Sequence, residues 1–146
     1  MSPDFGIQIR TAVPADAGSL ASLAGELGYP TTAEAMKLRL ERLLGDTRHA
    51  IYVAETSSVV GWVHVGMVEF LESGSFAEIF GIVVTEAQRG KRIGAALLDR
   101  AEQWARLNGC PRVRIRSNVV RTESHRFYEK QGYVEIKMQK VFDKTL

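Results

Sequence analysis

The sequence predicts one α/β domain built on a mixed β-sheet. Three observations predict it. From residue 50 to residue 84, three apolar stretches rich in β-branched residues are separated by two polar turns, the pattern of an antiparallel meander. The third stretch runs into a loop rich in glycine and cations, then an amphipathic helix, then another strand pattern, and such a unit implies a right-handed parallel crossover. The chain's 146 residues suffice for one domain, 1–146, with its own core, and no repeat, linker or low-complexity segment divides it.

The elements come in order. Ile7 to Thr11 alternates apolar and polar residues and reads as a first strand. Pro14 opens a helix, where its missing N–H costs nothing. Leu20, Leu23, Ala24 and Leu27 give that helix its apolar stripe, and Gly28 and Pro30 end it. Thr31 and Glu34 have the spacing of a capping box for a second helix, with Met36, Leu40, Leu43 and Leu44 on one face and Gly45 and Asp46 as its stop. Ala50 to Ala54 is a strand, Thr56-Ser57-Ser58 a turn, Val59 to Phe70 a long strand, and Glu72 to Ser75 a second turn. A third strand then contains Glu78 to Val84. In the next helix Ile93, Leu97, Ala101 and Trp104 recur at helical spacing, with Asp99, Arg100, Glu102, Gln103 and Arg106 opposite. Asn108-Gly109-Cys110-Pro111 closes it. Arg112 to Ser117 is the next strand. Thr122 caps a short helix through Gln131, ended by Gly132, and Tyr133 to Phe142 alternates again as one or two final strands.

Bulk properties narrow the function. Apolar residues make up 45% and charged residues 25%, an ordinary globular balance, and a net charge of +2 argues for neither a nucleic-acid nor a membrane partner. The apolar run Val59 to Val68 is too short to cross a bilayer. Met1 to Phe5 lacks the basic and apolar regions of a signal peptide. The single Cys110 rules out an internal disulfide, so the expected compartment is the cytoplasm. No histidine, cysteine and carboxylate set has metal-ligand spacing, so no metal is expected.

The loop carries the first chemical signal. Gly90, Gly94 and the cations Arg89, Lys91 and Arg92 stand where a helix begins. The free N–H groups and dipole of a helix N-terminus favour a phosphate. The chain has no Gly-x-x-x-x-Gly-Lys-Ser/Thr, and its glycines are not spaced or placed as a dinucleotide fingerprint requires. Arg89 to Gly94 instead resembles the acyl-coenzyme A pyrophosphate loop of the GNAT superfamily of N-acetyltransferases, Gln/Arg-x-x-Gly-x-Gly/Ala, with Arg92 in place of the inner glycine. If that position is left-handed, a non-glycine residue there costs about 1–2 kcal/mol, which an arginine meeting a phosphate would offset. A second motif agrees. Asn118, then Ser124-His-Arg-Phe-Tyr128-Glu-Lys-Gln-Gly-Tyr133, is similar to the family's Asn…Ala-x-x-x-Tyr-x-x-x-Gly-Phe/Tyr signature, with Ser124 for the usual alanine. The order of elements, β-α-α-β-β-β-α-β-α-β with room for one more strand, also resembles the GNAT fold.

The resemblance implies that the chain transfers an acetyl group from acetyl-CoA, as co-substrate, to a primary amine of a small molecule or protein by direct attack in a ternary complex. It also implies a splay between the parallel strands of Val84 and Arg116 that admits the pantetheine arm, with the backbone of Ile82, Val83 and Val84 paired to it. An N–H near Val83 or Val84 would polarise the thioester carbonyl. By the same resemblance Arg89, Gly90, Lys91, Arg92, Ile93 and Gly94 hold the pyrophosphate, Asn118 hydrogen-bonds the pantetheine or fixes the splay, and Ser124, at the alanine position of the second motif, is cofactor-binding. Tyr128, which spacing alone reads as core filler, becomes the general acid for the leaving thiolate. Glu78, eleven residues before Arg89 and inside an Ala-Glu-Ile sequence, matches the catalytic glutamate of the histone acetyltransferase branch. The other reading of Glu78 is an exposed strand carboxylate. An alkyl ammonium has a pKa of about 10.4, so a base or water must take its proton. His64, beside Trp62 on one strand face, reads as a packed histidine or a second base, and His49 and His125 read as surface. Arg112, Arg114 and Arg116 share one strand face. The rival functions are a non-catalytic acyl-CoA sensor or interaction module on the same fold, and a nucleic-acid module using that arginine face. A homodimer is left open.

Overall fold

The computed structural model describes residues 6–146. Met1 to Phe5, which lack signal-peptide character in sequence, lie outside the described residues. The chain forms two compact units, one ending at Ile115 and the other running Arg116–Leu146.

The first unit holds a five-stranded sheet. Its strands are β1 (Gln8–Thr11), β2 (His49–Glu55), β3 (Val59–Phe70), β4 (Gly74–Val84) and β5 (Val113–Ile115), and their order in the sheet is their order in sequence. Every pairing is antiparallel except β4 with β5, which is parallel as the crossover requires. The helices are α1 (Ala17–Leu27), α2 (Ala33–Leu44) and α3 (Ile93–Leu107). One core cluster joins Ala17 and Leu20 of α1 and Leu40 of α2 to Ile51 and Val53 of β2, with Met36, Leu43 and Trp62 packed against it. α3 packs against β2, β3 and β4 and buries Ile93, Leu97, Leu98 and Ala101. Fully burying one leucine of this kind contributes about 1.5–3 kcal/mol.

Local chemistry explains the starts and stops. Pro14 opens a single 3-10 turn, Pro14–Asp16, that leads into α1, and Gly28 ends α1 at φ 103°. Asp16 is buried and accepts from Val13 N at 2.8 Å and from two Arg10 nitrogens at 2.9 Å each. The Arg10 guanidinium holds the Asp16 carboxyl below the usual carboxylate range, against the opposing effect of burial. Arg10 also donates to Glu55 at 3.1 Å, which fastens β1 to β2.

Several sequence expectations shift. The cap of α2 is Thr32, whose hydroxyl accepts from Ala35 N at 3.1 Å, so Thr31 and Glu34 form no capping box. β5 is shorter than Arg112 to Ser117, and Arg116 lies beyond it. In the second unit the short helix is α4 (Thr122–Lys130), and Thr122 is its first helical residue rather than its cap. The largest correction concerns the final strands: residues 131–146 carry no strand. Alternation prepares one face for burial, but a strand exists only when a neighbour accepts its backbone hydrogen bonds. Val134, Ile136, Met138, Val141 and Phe142 are exposed.

Candidate active site

β4 ends in an irregular edge. The register shifts between His64 and Val65 of β3, so that Val65 pairs with Ile79 and His64 with Gly81, leaving Phe80 as the extra residue of a β-bulge. The parallel ladder to β5 covers only Ala77, Glu78 and Ile79. From Phe80 to Val84, β4 has no β5 partner among the described residues. Ile82, Val83 and Val84 therefore lie on a stretch of strand whose outer edge β5 does not cover. This is the feature the expected splay needs.

The loop after β4 is held at both ends. Thr85 Oγ1 and Glu86 N donate to the Glu26 carboxylate of α1 at 3.0 and 3.1 Å. Arg89 Nε donates to Val84 O at 3.2 Å, and Lys91 Nζ donates to Gln88 at 3.1 Å. Gly90 adopts φ 82° and Arg92 φ 65° with ψ 16°. Arg92 is the one non-glycine residue at positive φ among the described residues. The left-handed position is real, and holding an arginine there costs about 1–2 kcal/mol. Structure retained at such a cost is a reason to look for function. Arg92 is also the N-cap of α3 and offers no side-chain cap, so the first N–H groups, at Ile93 and Gly94, meet no capping side chain. Arg89, Lys91 and Arg92 stand in the four residues before that helix, and all three are exposed. This donor set suits a pyrophosphate: uncapped amides, a helix dipole and three cations.

Glu78 lies on the same strand before the bulge. It is only 8% exposed, which removes the reading of an exposed strand carboxylate. Across the sheet, His49, Gly66 and Glu78 form one row, with Arg114 next to Glu78 on β5. Residues directly opposite one another in adjacent strands share a face. A Cβ on Gly66 would collide with the Phe80 ring and lie 2.9 Å from His49 Nδ1. The glycine thus opens room for a ring cluster beside Glu78. In it His49 Nδ1 and His64 Nε2 share a hydrogen bond of 2.9 Å, and Phe80 tilts onto both imidazoles at 5.7 and 4.9 Å between centroids. His49 is therefore not a bare surface histidine. Its Nε2 stands 4.0 Å from Asp46, whose carboxyl is lowered to about 2 by the bonds it accepts from Arg48. A glycine inside a strand pattern marks close approach, and Gly66 is the sequence signal that points to this cluster.

Burial, and then the neighbouring His49, push His64 down to about 4 from 6.5. The imidazole is neutral at physiological pH. An unfolded chain binds that proton first, so this site's contribution to stability is full above about pH 6.5 and is lost as pH falls toward about 4. Urea midpoints should fall across that window, and His64→Gln should flatten part of the fall. An unchanged pH slope in the variant would show that His64 titrates as an ordinary imidazole.

Among the arginines of the predicted strand face, Arg112 and Arg114 stack on the Phe76 ring at 4.6 and 4.4 Å from its centroid. Two of the three are thus packed on an aromatic ring. Cys110 comes just after α3, and burial pushes its thiol up, which does not favour a nucleophile.

In the second unit, Asn118 organises the entry to α4. Its Oδ1 accepts from Val120 N at 3.1 Å and its carbonyl accepts from Arg121 N at 3.0 Å. His125 Nε2 is 2.9 Å from that carbonyl, so His125 is tied to the turn. Ser124 is half-buried on α4. Tyr128 is also half-buried, with Phe127 at 5.5 Å and Tyr133 at 6.4 Å between ring centroids. Burial raises its phenol pKa, with Arg121 acting in the opposite sense, so the ring oxygen keeps its proton at neutral pH. That is the form a general acid needs.

Comparison with known proteins agrees with this geometry. The description "Acetyltransferase (GNAT) family" matches residues 20–133. The aminoalkylphosphonate N-acetyltransferase of Salmonella typhimurium is 30% identical over 132 residues, covering 86% of this chain and 84% of that one. Among solved structures, the aminoglycoside 6'-N-acetyltransferase AAC(6')-Ih of Acinetobacter baumannii superposes with a TM-score of 0.84 at 18% identity, over 97% of this chain and 99% of that one. The glucosamine-6-phosphate N-acetyltransferase of Arabidopsis thaliana does so with 0.77 at 25% identity, over 94% and 99%.

Proposed function

Given that this chain belongs to the GNAT acetyltransferase family, we propose that it moves the acetyl group of acetyl-CoA to a primary amine by direct attack in a ternary complex. It is an acyltransferase of the N-acetyltransferase class. The observation that carries the reading is the pairing of two features: the β4 edge that β5 leaves uncovered after Ile79, and the cationic, uncapped N-terminus of α3 a few residues on.

Acetyl-CoA, when bound, supplies an acyl group activated as a thioester. Arg89, Gly90, Lys91, Arg92, Ile93 and Gly94 hold its pyrophosphate, and Ile82, Val83 and Val84 offer backbone for its pantetheine arm. A backbone N–H near Val83 or Val84 faces the charge that develops on the carbonyl oxygen. Glu78 takes the ammonium proton, directly or through water, and the neutral amine attacks the carbonyl carbon. The C–N bond forms, the C–S bond breaks, Tyr128 protonates the departing thiolate, and the second proton of the acylated nitrogen leaves through water and restores the phenol. Asn118 holds the backbone turn that leads into α4, the helix that carries Ser124 and Tyr128. The match of one family description to residues 20–133 supports treating 1–146 as a single N-acetyltransferase domain, although its two compact units divide at residue 115. The composition and lone cysteine support a cytoplasmic enzyme.

A ligand at a hundred times its dissociation constant adds about 2.7 kcal/mol to stability. For a chain of this length the melting temperature should rise by about 5–10 °C. Scanning calorimetry with millimolar acetyl-CoA checks this, and the absence of any rise would remove the coenzyme assignment.

A further inference from the structure

We propose that the cavity lined by α1, α2, β2 and β3 receives the acceptor, and that it selects a monoamine bearing a ring-sized apolar group. This substrate class rests on the acetyl-transfer reading of the same site. The cavity has a volume of about 170 Å3, with Leu20, Met36, Leu40, Leu43 and Ile51 as apolar walls. An apolar cavity of about 150 Å3 accommodates a benzene ring. The same walls leave the hydroxyls of a sugar without partners, and an unpaired buried hydroxyl carries a desolvation penalty that a ring of carbon does not.

Charge disfavours polycations. Among the described residues, Arg39 is the one permanently charged side chain that lines the cavity, and no carboxylate lines it. A polyamine or aminoglycoside would bring several ammonium groups toward that arginine, and Glu78 takes up only the one that reacts. His64 also lines the cavity and is neutral at physiological pH. Its Nε2 is engaged by His49, which leaves Nδ1 as the ring nitrogen for a ligand. Trp62, the remaining lining residue, pairs in the ladder with Val83, and His64 pairs with Gly81. The cavity wall is therefore the strand next to the β4 segment assigned to the thioester. A monoamine can place its apolar body among the leucines and its nitrogen toward β4.

The test uses the full chain, acetyl-CoA and thiol release, with 2-phenylethylamine, tryptamine, spermidine, kanamycin and 2-aminoethylphosphonate as acceptors. We expect kcat/KM for 2-phenylethylamine to exceed that for the three polar amines by about tenfold or more, the scale on which apolar pockets discriminate. Leu43→Phe, which fills the cavity, should raise KM for 2-phenylethylamine about tenfold while acetyl-CoA affinity holds. Leu43→Ala, which enlarges it, should shift preference toward tryptamine, and this second variant keeps the test decisive if the first fails to fold. Preference for a polar amine, turnover of none of the five with coenzyme still bound, or a preference that neither Leu43 variant moves would overturn the cavity assignment alone. Failure to bind acetyl-CoA at all would overturn the acetyl-transfer reading beneath it.

Discussion

Gly94→Asp is expected to abolish coenzyme binding while the protein stays folded. Gly94 is the second residue of α3, in the first turn of a helix whose N-cap Arg92 supplies no capping side chain. A carboxylate there suits the helix dipole, so the fold has no reason to weaken. It stands, however, where the pyrophosphate is assigned. Two unit charges about 4 Å apart repel by about 4 kcal/mol at an effective dielectric of about 20. Calorimetric titration should therefore show coenzyme A affinity reduced by at least about a hundredfold, with the melting temperature of the free protein close to wild type. Gly94→Ala adds bulk without charge and should cost far less. Equal affinity in the aspartate variant and wild type would place the phosphates elsewhere on the chain.

The second large effect separates the proposed base from the proposed acid by pH. Glu78→Gln keeps the shape of a buried side chain and removes its ability to accept a proton. General-base assistance is worth about 10²–10⁴-fold, so kcat near neutral pH should fall by that order. The deficit should shrink as pH rises toward the amine's own pKa, because the acceptor then arrives neutral. Tyr128→Phe should lower kcat without that recovery, since a leaving thiolate is no easier to protonate in alkali. Coenzyme affinity should hold in both variants. Full activity of Glu78→Gln at every pH would hand the base role to water or to His64, the next side chain to replace. Full activity of both variants would leave the fold assignment standing and remove the proposed chemistry.

The parts of this protein that are legible in its sequence are those set by short-range rules. β3 spans Val59 to Phe70 as its pattern indicates, and α3 buries Ile93, Leu97 and Ala101 as its periodicity requires. The left-handed conformation at Arg92 is foreseeable because Arg92 stands at the inner glycine position of the loop motif. Dihedral preference, period and capping all act within a few residues, so a linear sequence carries them.

The tertiary structure decided everything that depends on partners far apart in the chain. Fifteen positions separate His49 from His64, and only the register of β2 on β3 brings their nitrogens to 2.9 Å. The bulge at Phe80 exists as a mismatch between two strands and has no local signature. Glu78 is buried because of what lies across and above it, not because of its neighbours in sequence. The residues after Tyr133 do alternate, yet they make no strand, because backbone hydrogen bonds need a second segment at the right distance. The chain's own residues fix periodicity and loop chemistry, whereas register and burial belong to pairs of segments, and those pairs turn a glutamate, two histidines and an apolar cavity into a candidate site.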